Sequence, residues 1–376
     1  MKSKTPVLKY PLNETPEYSF TLSAECYLDS DVFESEKHEI FYKTWQYVAP
    51  LTRFPDIGDY QAFQICDERI FVIRSQDGKL RAFFNVCRHR AHELVSGFGN
   101  KPKAIVCPYH AWSYKTDGHL VSAPKSEGRP EFDKSNFGLK EVRLEVFCGC
   151  VFVNLSESAT PLHEIAGDLE KDIRARVPNV DELKVYGADL LGETHVEAGW
   201  KVVVDNFVEC YHCAPAHPDF ASLIDMSHYQ VDTFDQWSRQ LGPVIRNENS
   251  AYPVGPEEEF QESAFWYLWP NTTFNIMPGS LELAVFAIRP NDKSSCRFEG
   301  DVLTSRPNAN QARVDYTAAV LTPEDISLCE SVQRGLHSSS YVQGPFIVDD
   351  ERSGEGEQAL HHFHRLVQKA LKIETE

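Results

Sequence analysis

Two short Cys-and-His pairs constrain this chain more than anything else in it: Cys87-Arg88-His89 and, after seventeen intervening residues, Cys107-Pro108-Tyr109-His110. Thiolate and imidazole are metal donors, and four of them on two segments can serve one site only if the fold holds both segments side by side as loops. The surrounding sequence has the texture of such a scaffold. From Tyr47 to Leu155, short alternating runs (YQAFQI, RIFVIRS, LRAFFNV, AIVCPY, VFCGCVFVNL) are broken by Asp77-Gly78 and Asp117-Gly118. This predicts a small antiparallel β domain over 47–155.

The order of the donors bears on the metal. Zinc accepts two cysteines and two histidines in a closed tetrahedron, but zinc fingers usually space cysteine from cysteine and histidine from histidine. Here each segment carries one of each. A [2Fe–2S] cluster with two thiolates on one iron and two imidazoles on the other fits that order, and its imidazole ligands raise the reduction potential. A zinc-stabilised interaction protein remains the alternative, and it would be colourless.

A second constellation lies downstream in WKVVVDNFVECYHCAPAHPDF, where His212 and His217 are spaced for a helix end running into a turn. Two imidazoles and one carboxylate leave open positions on Fe(II) for dioxygen and substrate, so the pair calls for a distant acid. In LTPEDISLCESVQRGL, Thr322 is expected to cap a helix with Glu324 and Asp325 in its first turn. Asp205 and Asn206, one turn before Glu209, are candidates to hydrogen-bond the iron ligands or to cap a helix. Cys210 and Cys213 form a C-x-x-C and are read as small packed residues near the iron.

CRHRAH…CPYHAWSY resembles the cluster-binding loops of the Rieske non-haem iron oxygenases, down to Arg90 and Trp112. Respiratory-chain Rieske proteins carry extra loop cysteines, whereas this chain has Ala91, His92 and Tyr109 there. The resemblance implies an α+β chain: an N-terminal antiparallel β Rieske domain, then an α+β helix-grip (START-like) catalytic domain over 156–376. Segment 1–46 is expected to supply a helix that packs on the catalytic domain. It further implies that Cys87, His89, Cys107 and His110 hold the [2Fe–2S] cluster, and that His212, His217 and Asp325 hold a mononuclear Fe(II). Dioxygen is then the co-substrate, and NAD(P)H electrons arrive through a separate flavin/iron–sulfur reductase.

The family is trimeric, and the residue three before the first iron histidine bridges that site to the Rieske histidine of a neighbouring subunit. Most members have Asp there. This chain has Glu209, as do the carnitine monooxygenases among the quaternary-ammonium oxygenases, whose motif DNFVECYHCAPAHPDF resembles closely. The implied substrate is a quaternary ammonium compound such as carnitine, γ-butyrobetaine or a betaine. Aromatic-ring hydroxylation uses the same two centres and is the competing enzyme reading. A Rieske electron carrier without oxygenase activity is the competing reading of another class.

The rest of the chain supplies narrower expectations. SDVFESEKHEIFYKTW and ALHHFHRLVQKAL carry helical apolar stripes, Leu360, Phe363, Leu366, Val367 and Leu371 in the second. His361, His362 and His364 in that helix are read as a solvated face, and 243–263 as a long surface loop of the kind that forms lids. Phe265, Trp266, Tyr267 and Trp269 are candidates for an aromatic cage around a quaternary nitrogen, and Arg289 for a partner of a substrate carboxylate. A net charge of -19 argues against nucleic acid as a partner. The absence of a secretory start, of a membrane-length apolar run, and of a G-x-G-x-x-G or P-loop predicts a cytoplasmic protein that binds no nicotinamide itself, its ten cysteines reduced.

Overall fold

The computed structural model describes residues 6–186, 193–245, 248–306, 310–348, 353–354 and 356–375. Two antiparallel sheets dominate it. The first runs from Gln46 to Asn154 in the spatial order Gln46–Pro50, Cys150–Asn154, Glu141–Phe147, Leu80–Phe84, Glu68–Arg74, Asp59–Ile65 and Phe98–Asn100. Tight turns make the pairing local. Gly78 takes φ +80° between two of these strands, and Gly149 takes φ +71° between Glu141–Phe147 and Cys150–Asn154, a region open to glycine at little cost. A three-stranded sheet (Ile105–Val106, Ser113–Tyr114, Leu120–Ser122) rides beside it. A separate small core containing Phe71, Phe83, Ile105, Trp112 and Tyr114 forms here and also buries Cys87 and Cys107.

The second sheet has eight strands among the described residues, centred on Glu262–Leu268, Thr272–Ile276, Leu283–Asp292 and Ser295–Thr304. It is covered on both faces, which explains why strand Glu262–Leu268 is apolar on both sides of its pleat. Trp266 and Leu268 pack against the helix Leu169–Arg176, whereas Tyr267 and Trp269 pack with the helices Trp200–Phe207 and Gln358–Leu371. The two sheets meet where Phe147 approaches Phe274, ring centroids 6.3 Å apart, and where the Tyr47 hydroxyl donates to Asp301 at 2.8 Å.

The amino-terminal segment packs on the second sheet's helices. Helix Ser30–Glu36 is capped by Asp29, which accepts from Asp31 N at 2.7 Å, and continues as a π-helical turn over Lys37–Phe41. Val32, Phe33, Ile40, Phe41 and Trp45 are all buried. Glu36, fully buried, pairs with Lys201 and accepts from Trp200 Nε1 at 2.8 Å. Such a pair costs desolvation and adds more to geometry than to stability.

Three expectations are corrected. Thr322 is no cap: its φ of -61° and ψ of -44° are helical, because a helix Gln311–Tyr316 and a π-helical turn Thr317–Leu321 run straight into Thr322–Gly335. The cap is Asn310, whose side chain accepts from Arg313 N at 3.2 Å. The final helix buries His361 and His364 rather than exposing them, because residues of the amino-terminal segment and Phe346 pack over both rings beside its apolar stripe. The loop expected over 243–263 is shorter: Pro243 ends the strand Trp237–Pro243 and Glu262 opens the strand Glu262–Leu268, the part between is irregular, and 246–247 lie outside the described residues. The remainder is pinned, with buried Tyr252 donating to Pro278 O at 3.0 Å and Ser250 Oγ to Asp219 Oδ1 at 2.5 Å.

Candidate metal centres

The first two donor pairs sit on loops of matching geometry. Cys87 N bonds His92 O and Ala91 N bonds Cys87 O, while Cys107 N bonds Trp112 O and Ala111 N bonds Cys107 O. Each loop turns back through an alanine at positive φ, +56° at Ala91 and +58° at Ala111. The thiols of Cys87 and Cys107 are buried next to each other. The His89 and His110 rings lie outside them, centroids 4.6 Å apart, with His89 exposed. Two inner sulfurs and two outer imidazoles are the donor set of a [2Fe–2S] cluster bound by two cysteines and two histidines, and the residues fit it.

Flanking residues set the pair up. Trp112 stacks on His89 at 5.0 Å and 7°. The Tyr114 hydroxyl accepts from Arg88 N at 3.0 Å, which leaves its proton for Cys87 Sγ at 3.3 Å. Burial first, with the neighbouring Cys87 thiol, pushes the Cys107 thiol up, and the backbone N–H groups of Tyr109 and His110 offset this only in part. A bound cation at the sulfurs would remove that penalty.

In the second domain, one donor atom each from His212, His217 and Asp325 lies within 4.8 Å of the others. His217 Nε2 is 3.0 Å and His212 Nε2 3.6 Å from Asp325 Oδ1. The other ring nitrogens are occupied by acids: His212 Nδ1 is 2.6 Å from Glu209 Oε1, and His217 Nδ1 is 2.7 Å from Glu324 Oε2. A carboxylate on Nδ1 fixes the proton there and frees Nε2 as a donor, the arrangement that orients metal-binding histidines. Burial alone would lower the His212 pKa, but hydrogen bonds to Asp325 and Glu209 outweigh it and push it up to about 9. Burial would raise Asp325, and the two imidazoles hold it below the usual carboxylate range. Two imidazoles and one carboxylate converging on one point can hold an Fe(II) with open positions.

Local sequence explains this placement. The four-residue helix Cys213–Ala216 has His212 and His217 as its flanking residues, and Pro218 starts the next helix at once. Asp325 follows the π-helical turn Thr317–Leu321; such turns are over-represented at functional sites. Glu209 also accepts from Tyr211 N and His212 N, closing the turn before the first histidine.

The second layer divides differently from expectation. Asn206 Nδ2 lies 3.3 Å from His212 Nε2, beside the iron ligands. Asp205 does not reach them. It accepts from the Tyr27 hydroxyl at 2.7 Å and from His364 Nε2 at 2.9 Å, while His364 Nδ1 accepts from Leu22 N. Asp205 thereby ties the helix Trp200–Phe207 to both ends of the chain. Tyr27, His364 and the role of Glu324 were not anticipated. Of these, only the adjacent Glu324-Asp325 pair left a signal in the sequence.

Other assignments are overturned. Cys210 and Cys213 form a disulfide, Cα atoms 4.9 Å apart, because Cys213 N bonds Cys210 O and brings both side chains together. They are neither separate packed thiols nor reduced. Trp266 faces away from the iron ligands and donates to Asp172 at 2.6 Å. Tyr267 donates to Pro270 O, and Trp269 packs on Trp200 and Phe363. Of the four aromatics, only Phe265 reaches the helix after His217, packing on Phe220 at 6.3 Å. Arg289 is buried, paired with Glu299 and bonded to Tyr47 O at 2.5 Å, so its guanidinium is committed to joining the two sheets.

A β domain presenting two thiols and two imidazoles on paired loops, joined to a helix-covered sheet where two histidines meet an aspartate, defines the catalytic subunit of a Rieske-type oxygenase. Residues 44–138 match the Rieske [2Fe-2S] domain family, and residues 180–373 match the ring hydroxylating alpha subunit (catalytic domain) family. The chain belongs to that family of non-haem iron oxygenases, oxidoreductases that carry both centres.

It is 36% identical to the carnitine monooxygenase oxygenase subunit of Acinetobacter pittii over 94% of this chain and 95% of that one. It is 35% identical to the subunit of that name in Escherichia coli K12, over 99% and 100% of the two chains. The solved structure of the quaternary ammonium Rieske monooxygenase CntA in complex with L-carnitine is 35% identical, with TM-score 0.86, covering 97% of this chain and 99% of that chain. Naphthalene 1,2-dioxygenase from Rhodococcus, at 20% identity and TM-score 0.78, shares the fold. No described helix is long and apolar enough to cross a membrane.

Proposed function

We propose that this chain is the oxygenase component of a two-component monooxygenase that hydroxylates a quaternary ammonium compound, such as carnitine, γ-butyrobetaine or a betaine, next to its nitrogen. The observation that carries the reading is Glu209 on His212 Nδ1, a glutamate where most of the family has aspartate, in a chain 35–36% identical to carnitine monooxygenase oxygenase subunits over almost its whole length. A product hydroxylated beside a quaternary nitrogen collapses with C–N cleavage, releasing an amine, an aldehyde and a proton; at an N-methyl group the same collapse is demethylation.

Cys87, His89, Cys107 and His110 would hold the cluster, and His212, His217 and Asp325 the Fe(II). When bound, these groups supply one-electron relay and dioxygen activation, drawing on NAD(P)H through a flavin/iron–sulfur reductase. The chain's own residues do the rest. Glu209 and Glu324 keep the Nδ1 protons in place and hold both imidazole rings at a fixed angle. Asn206 offers an amide N–H beside the ligand nitrogen of His212.

His89 lies at the surface, and Glu209 is only 11% exposed beside the half-exposed Tyr211. The exposed imidazole edge is what the homotrimer implied by the family resemblance requires, with His89 of one protomer docked at Glu209 of the next; a cytoplasmic location is part of the same proposal.

The test is a substrate panel with the holoenzyme, a matching reductase and NAD(P)H. Carnitine, γ-butyrobetaine and betaines should consume oxygen with stoichiometric release of an amine and an aldehyde. Hydroxylation of aromatic acids, with the quaternary compounds inert, would replace this reading by ring hydroxylation.

A further inference from the structure

Trp112 belongs to the second ligand loop through its backbone, where Cys107 N bonds Trp112 O, yet its indole reaches the first loop and stacks on His89. The ring centroids are 5.0 Å apart and the planes 7° from parallel. Parallel rings at that separation are offset, an arrangement in which aromatic pairs attract. One residue therefore braces both loops. The indole is itself held: Trp112 is buried, and Phe132 and Phe137 meet it edge to face at 5.7 Å and 67° and at 5.9 Å and 89°.

His89 is exposed, and among the described residues no hydrogen bond reaches its ring; its ring contacts are Trp112 and His110. The imidazoles of the other centre are oriented differently, by carboxylates on Nδ1 at 2.6 Å and 2.7 Å. The contrast has a chemical reason. An imidazole that gives one nitrogen to metal and turns the other outward has none left to anchor it within its own chain, so a π contact fixes the ring plane instead.

An indole face also acts on charge. It attracts positive charge more strongly than the faces of tyrosine or phenylalanine. An imidazole on an oxidised cluster is more electron-poor than the same ring on a reduced one, so the stack stabilises the oxidised form more. His110 is covered differently, by the half-exposed Tyr109 at 3.8 Å, a ring whose face is shared with the Arg90 guanidinium at 5.4 Å.

We propose that Trp112 is a positioning residue for the [2Fe–2S] cluster: it braces His89 and, through that ring, lowers the reduction potential. Its effect opposes that of the Tyr114 hydroxyl, which donates toward Cys87 Sγ at 3.3 Å and favours the reduced form. The assignment concerns the cluster alone and is independent of the substrate.

The test is the midpoint potential of the holoenzyme by protein-film voltammetry at one fixed pH, with all proteins compared at equal iron and sulfide content. Trp112→Leu removes the aromatic face and should favour the reduced cluster about 2–5-fold, a rise of about 20–40 mV for a one-electron couple. Trp112→Phe should fall between Leu and wild type. Tetrafluorotryptophan installed at position 112 by nonsense suppression keeps the shape of the indole and withdraws electron density from its face, so it should raise the potential by about the same 2–5-fold. A fluorinated protein with the wild-type potential, or a lower one, overturns the proposal, even where Trp112→Leu fails to retain its cluster.

Discussion

Glu209 Oε1 lies 2.6 Å from His212 Nδ1, and the same side chain closes the turn that presents His212. One carboxylate therefore sets both the tautomer and the position of a metal-binding imidazole. Glu209→Ala, compared with wild type at equal iron and sulfide occupancy after reloading, should slow oxidation of the reduced cluster in single-turnover stopped flow by about 10–100-fold. Unchanged kinetics would remove Glu209 from the electron path.

Glu324 stands to His217 as Glu209 does to His212, at 2.7 Å. Its role is expected to be in holding the metal. Glu324→Gln keeps a hydrogen-bond acceptor but loses the charge, so mononuclear iron affinity should fall about 10-fold or more. Dialysis against a graded chelator, with cluster sulfide as internal reference, measures this directly.

Tyr114 donates toward Cys87 Sγ at 3.3 Å. A hydrogen bond drains electron density from a ligand sulfur and favours the reduced cluster. At about 0.5–1.5 kcal/mol, its loss in Tyr114→Phe should lower the midpoint potential by tens of millivolts in a protein-film titration. A potential equal to wild type would mean the hydroxyl does not tune the cluster.

Trp266 tests the division between the two sheet faces. It is fully buried and bonded to Asp172 on the face away from the iron ligands. Trp266→Phe should cost roughly 1–3 kcal/mol of stability in denaturant unfolding and leave relative kcat/KM across the substrate panel unchanged. A changed substrate order would return it to the pocket.

Glu357 is pushed up to about 7 by burial first and, after the opposing Ile347 N–H bond, by the carboxylates of Glu209 and Asp205. Its folded pKa is above its unfolded value, so the folded chain binds the extra proton, and this group's contribution to stability falls as pH rises from about 4.5 through 7. Glu357→Gln should therefore melt higher than wild type at pH 8, by an amount on the order of 1 kcal/mol once partial exposure is allowed for, and match it near pH 4. Parallel melting curves across that window would show that the carboxyl is not strained.

The candidate metal donors were legible because ligand type and spacing are local. The Cys87–His89 and Cys107–His110 pairs needed only two tight loops, and alternation with Asp-Gly turns announced the strands that carry them. Thr322 misled because a cap is recognised by what precedes it, and three helical segments in series look like separate ones when a π-helical turn interrupts the periodicity. The histidines of the last helix misled because exposure was inferred from polarity, whereas the amino-terminal segment folds back over them.

The sequence alone determined which side chains can bind metal and how apolar residues repeat along each strand and helix, since both depend on neighbours within a few residues. Only the tertiary structure decided which face of Glu262–Leu268 looks toward the iron ligands and which acid meets which imidazole. Those outcomes depend on what covers each surface, and long-range packing brings that cover from residues hundreds of positions away.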